Sequence, residues 1–220
     1  MKLAASLALA SSALVLFAAS QAAATDAQAY KPEGKGTFII DLRVSDVVPD
    51  ANSPIVTAAG ADSGLKIQVG DSVMPTLGFT YFVTDNLSVE AIAGFTKHTV
   101  YAVGAGTSTS THDTWVLPPV VTLKYHPFPK ARVSPYVGAG ANLMVYFAGT
   151  DLNGFKVHLN DQFGYAFQFG TDIAIQGPWS VNLDAKKVFT KTNANINNGA
   201  LFSHVGLDPW IVSAGIGRRF

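Results

Sequence analysis

A chain of 220 residues suits one domain, and its 15 basic residues balance its 15 acidic ones, so no charge excess points to nucleic acid. Charged residues make up 14%, against about 25% in a soluble domain, while apolar residues stay at an ordinary 48%. Cysteine is absent, which excludes disulfide frameworks, thiolate metal sites and cysteine nucleophiles together.

In chain order, the first element is a leader. Lys2 precedes LAASLALASSALVLFAAS and QAAA, a basic start, an apolar stretch and a small-residue cleavage site at Ala22 to Ala24. This reads as a secretory signal peptide over residues 1–24, leaving a barrel domain at 25–220 with a net charge near −1, since Lys2 is one of the 15 basic residues. The stretch is too short and too rich in serine for an anchor. Beyond it no run approaches the about 18 apolar residues of a spanning helix, so a mature chain that enters a membrane must do so as strands.

Eight segments then alternate with period two: 36–48, 73–84, 87–96, 114–126, 132–147, 162–176, 179–189 and 207–220. The connections after the second, fourth and sixth are short (Asp85-Asn86, PFPKA, Gly177-Pro178), and the others are long. Short turns on one rim and long loops on the other, around an even number of strands, predict an all-β fold: an eight-stranded antiparallel transmembrane β-barrel of the bacterial outer membrane. The long connections read as surface loops, and they contain His98, His112, His158 and His204, which are expected to be solvated rather than metal-bound.

A soluble barrel would turn its bulky face inward. Here one face is tight and polar, with Gly78, Gly138, Gly140, Gly164, Gly170 and Gly215 among its members, and the other carries Leu42, Phe79, Tyr81, Leu123, Phe163, Tyr165, Phe167 and Phe169. A narrow barrel has little interior volume, so the tight face belongs inside and the large side chains face lipid. Aromatic residues fall at both ends of the strands, as two interfacial girdles require: Tyr81, Tyr125, Trp179 and Phe220 below, Phe95, Trp115, Phe163, Tyr165 and Trp210 above.

WVLPPVVTLKYHPFP, SPYVGAGANLMVYF, GYAFQFGTDI with WSVNLDAKK, and the final DPWIVSAGIGRRF resemble successive motifs of the outer-membrane protein W family, which includes an alkane-uptake branch. The resemblance covers nearly the whole mature chain and departs from the family in residues 49–72 and 190–206. It implies a monomeric barrel that passively admits small hydrophobic molecules, with lateral release into the bilayer.

Strand direction places Asp41, Arg43, Glu90, Lys124, Asp172, Asp184, Lys186 and Arg219 inward, in the periplasmic half or near the middle, four acids facing four bases. These are expected to form a lumenal ionic plug. Toward the long loops the inward residues are apolar, with Met74, Ile92, Val116, Met144 and Ile211 lining an upper lumen. Pro118-Pro119 lies mid-strand, where each proline removes a ladder donor, and reads either as a simple kink or as a lateral gate. Phe220 ends the last strand as a terminal aromatic resembling the signal that such barrels present to the assembly machinery. No GxSxG, HExxH or paired-carboxylate constellation is present, so an enzyme is not expected, and no cofactor or metal is implied. The expected partners are small hydrophobic solutes, outer-membrane lipid, lipopolysaccharide and the barrel-assembly machinery. The competing reading is a closed structural or receptor barrel whose extracellular loops bind partners.

Overall fold

The structure is a computed structural model and describes residues 30–104 and 106–220; the leader expected at 1–24 lies outside the described residues. Every regular element described is a strand. In chain order these are β1 (Phe38–Val48), β2 (Ser53–Thr57), β3 (Asp62–Val69), β4 (Ser72–Phe82), β5 (Leu87–Gly94), β6 (Thr96–Gly104), β7 (Thr107–Leu117), β8 (Val120–Tyr125), β9 (Val133–Asp151), β10 (Val157–Leu159), β11 (Gln162–Ala174), β12 (Trp179–Phe189), β13 (Lys191–Ile196), β14 (Leu201–Gly206) and β15 (Trp210–Arg219).

Eight of them close a circle of antiparallel pairs in the order β1, β4, β5, β8, β9, β11, β12, β15 and back to β1. Closure leaves the barrel with no open edge strand, which a sheet in hydrocarbon requires. The eight alternating segments of the sequence correspond to these strands. Their outer face is the greasy one: Leu42, Phe163, Tyr165, Phe167, Phe169, Val212 and Ile216 are all exposed, whereas the polar face is buried. Close packing against the paired residue of the neighbouring strand explains two of the glycines, since a Cβ at Gly78 would run into the Asp41 carboxylate and one at Gly170 into the Tyr136 hydroxyl.

The long connections are not loops, and this corrects the sequence reading. Residues 49–72 form β2 and β3, residues 190–206 form β13 and β14, and with β6, β7, β10 and the upper part of β9 they make a second sheet above the barrel. Its strands are amphipathic in the opposite sense. Ile55, Ile67, Val100, Ala102, Ala194, Ile196, Val205 and Leu207 pack inward as a separate core, while Lys191, Asn193 and Asn195 point out. Water, not lipid, bathes this sheet, so polar side chains take the outside. Threonines and histidines among the inward residues hide the alternation from a reader looking for greasy strands. His98 and His112 are accordingly buried, on β6 and β7, while His158 on β10 and His204 on β14 are exposed.

Candidate functional site

Inward residues change character with height. Along β1 they run Asp41, Arg43, Ser45, Val47, and along β12 Asn182, Asp184, Lys186, Val188. The lumen is therefore layered: ionic below, hydroxylated in the middle, apolar above.

All eight charged residues expected in the plug are buried. Glu90 is the hub, accepting from Arg43 Nη2 at 2.8 Å and Lys124 Nζ at 3.0 Å and lying 2.9 Å from Lys186 Nζ. Asp41 pairs with Arg43, and Asp184 pairs with Lys186 and accepts from the Tyr136 hydroxyl at 2.8 Å. Asn182 donates both to Asp172 Oδ1 and to the Tyr136 oxygen, at 2.9 Å each. A fifth carboxyl group, Glu33, joins the four acids and four bases and is buried beside Arg219 at 2.8 Å.

Glu33 arrives on a strap of residues 30–36 that crosses the periplasmic mouth. Lys31 N–H donates to the Gly177 carbonyl at 2.8 Å, Glu33 N–H to Pro129 at 3.2 Å, and Arg219 Nη1 to the Lys31 carbonyl at 2.7 Å. Burial, reinforced by nearby Asp172, raises the Glu33 carboxyl to about 8 against the opposing pull of Arg219. Strand parity should have revealed two further residues: Tyr136 alternates with Gly138 and Gly140, and His126 with Thr122 and Lys124. Glu33 precedes any strand, so no parity signal marked it.

Above the charges, Ser45 hydrogen bonds to Ser213 at 2.7 Å and receives the Thr76 hydroxyl at 2.8 Å. Higher still, all five residues expected in the upper lumen, Met74, Ile92, Val116, Met144 and Ile211, meet in one buried cluster with Val47, Val120, Ala166 and Val188. They fill the lumen here. The open space is one step higher, a cavity of about 50 Å³ between the two cores, lined by Val47, Val116, Met144, His98, Tyr146 and Leu207 among others.

At this height the wall is incompletely laced. Between β5–β6 and β7–β8 the paired positions Ile92 with Val120 and Thr96 with Val116 flank an unpaired interval that contains Pro118 and Pro119. On the other side Leu143 N–H still donates to the Pro119 carbonyl at 3.1 Å, so β9 remains attached. A second interval lies between β4 and β6, where pairing lapses from Thr76–Gly94 to the Gly70 N–H bond to Thr99. His98 Nδ1–H bridges there to the Gly70 carbonyl at 2.7 Å. Phe95 sits at the junction of both intervals, 60% exposed on the lipid face.

Closed strand circle, lipid-facing greasy surface and polar lumen together define an outer-membrane β-barrel. The chain belongs to the OmpW family, whose model matches residues 34–220. It is 32% identical over 191 residues to the uncharacterized outer-membrane protein y4mB of Sinorhizobium fredii, covering 85% of this chain and 81% of that one. It is 29% identical over 183 residues to the dibenzothiophene metabolism operon protein PahQ of Pseudomonas aeruginosa, covering 81% and 86%. The crystal structure of the outer membrane protein OprG from Pseudomonas aeruginosa superposes with a TM-score of 0.81 at 27% identity, covering 87% of this chain and 99% of that one.

Proposed function

We propose that this barrel is a passive conduit for small hydrophobic molecules, which enter from the extracellular side and leave sideways into the bilayer. The observation that carries the reading is the coincidence in height of three features: the apolar cavity and cluster, the two unlaced intervals of the wall, and the ionic layer directly beneath. An apolar solute that reached Met144 and Val116 would meet buried charges below it and lipid beside it. Crossing the ionic layer means separating buried, paired charges, whereas parting the wall near Pro118-Pro119 breaks few hydrogen bonds because few are there. The occurrence of a relative in a dibenzothiophene metabolism operon favours the same class of solute.

The reading involves no catalysis, cofactor or energy coupling. Lipid touches the outer face; lipopolysaccharide at the upper girdle and the assembly machinery at Phe220 are the further partners it implies. It is tested by flux of a hydrophobic tracer into liposomes carrying equal amounts of folded wild type and Ile92→Lys, which puts a charge into the apolar cluster. Flux should fall in the variant. Equal flux from both, or none above empty liposomes, would favour the closed structural or receptor barrel.

A further inference from the structure

At the periplasmic end three side chains from separate parts of the chain converge. Glu33 comes from the strap, His126 from the end of β8, and Asp172 from β11; one potential ligand atom of each lies within 4.8 Å of the others, and all three residues are buried. Hydrogen bonding leaves one oxygen on each carboxyl group free among the described residues. Neither Glu33 Oε2 nor Asp172 Oδ2 has a hydrogen-bond partner among the described residues, although Asp172 is only 4% exposed and its other oxygen is held by Asn182. Glu33 Oε1 lies against Arg219, which turns Oε2 toward His126 Nδ1 at 3.6 Å. His126 Nε2 lies 3.0 Å from the Ser88 oxygen, and Nδ1 lies 3.2 Å from that of Ser134.

We propose that Glu33, His126 and Asp172 form a binding site for a divalent transition-metal ion of the zinc type. The 3.6 Å from nitrogen to oxygen is too long for a hydrogen bond, yet it is close to the roughly 3.4 Å between two ligands on a tetrahedral ion with bonds of about 2.0–2.1 Å. One imidazole with two carboxylates suits zinc better than calcium or magnesium, which favour all-oxygen shells. When Nε2–H donates to Ser88, Nδ1 carries the lone pair, and the ion would take it in place of the Ser134 hydroxyl, the arrangement in which a second hydrogen bond fixes the tautomer of a metal-bound histidine. The remaining position is open to Ser134 or water. The ion would staple the strap to two strands and close the mouth, and the strap, held by a few backbone hydrogen bonds, is the entry path.

The test uses the mature full-length barrel, refolded into detergent with and without zinc chloride, separated from free metal and assayed for bound zinc. Wild type should retain about one zinc per chain, the stoichiometry of a single structural site. His126→Gln and Asp172→Asn should lose it, and Ser88→Ala, which spares the ligands and is the milder change for folding, should weaken binding by about 10–100-fold. A double variant of the exposed histidines, His158→Ala with His204→Ala, should bind as wild type does. Zinc-free wild type, unchanged binding in folded His126→Gln and Ser88→Ala, or loss of zinc in the exposed-histidine variant would each overturn the proposal.

Discussion

Glu90 and Lys186 stand four places apart in the circle of eight strands, on β5 and β12, yet carboxylate and ammonium are 2.9 Å apart across the lumen. A pair that spans the diameter leaves no aqueous bore at that height. The same carboxylate also holds Arg43 and Lys124, so three cations depend on it.

Glu90→Ala should therefore cost about 3–5 kcal/mol, the penalty for leaving buried charges uncompensated. Asp184→Ala should cost less, because its closest cation, Lys186, keeps Glu90. Unfolding midpoints in detergent check both. Unchanged midpoints would mean that the layer is solvated and does not brace the barrel.

Replacing Pro118 and Pro119 together by valine restores two backbone donors along the interrupted strand, the one at 118 on the side of the unpaired stretch of β5 and β6. Tracer flux should fall while the unfolding midpoint holds or rises. Wild-type flux in this variant would remove the wall interval from the route.

Phe220 exchanges backbone hydrogen bonds with Phe38, at 2.7 and 3.3 Å, and its ring lies 6.4 Å from that of Phe38 on the lipid face. Phe220→Ala keeps the backbone closure and removes only the aromatic ring. Less protein should reach the membrane, with the inserted fraction melting close to wild type. Normal amounts of heat-modifiable barrel in the membrane would refute an assembly role.

Burial lowers the His98 pKa below its ordinary 6.5, with the Gly70 hydrogen bond and Asp71 opposing only in part. The unfolded chain therefore takes up a proton first as pH falls. The stability contributed by neutral His98 is complete above pH 6.5 and declines from there toward the lower folded value. Protection factors at Gly70 and Val100, corrected for the intrinsic exchange rate at each pH, should be lower at pH 5 than at pH 8, and His98→Gln should flatten that dependence. Equal protection at both pH values would contradict it.

The transmembrane half was legible in the sequence because lipid enforces a sharp contrast: Phe163 to Phe169 alternates rings with small or polar residues, and each ring is exposed. The upper sheet was not, because strands such as KTNANI need only modest apolar residues inside and polar ones outside, a pattern shared with many loops. Lumenal charges could be placed by parity alone. Their partners across the lumen could not, because the pairing of Glu90 with Lys186 depends on closure of the circle. The fifth carboxylate was invisible for a related reason: Glu33 is brought inside by tertiary contacts of the strap.

The two prolines leave the strand registration undisturbed. Leu117 faces Val145 and Val120 faces Asn142, and on the other edge Thr96 faces Val116 and Ile92 faces Val120, so each partner keeps step across the interruption. Such a seam resembles a zipper that lacks two teeth but stays aligned above and below. Parting it requires only local bowing of adjacent strands, with no sliding of one past another, and its edges come back together in the same frame.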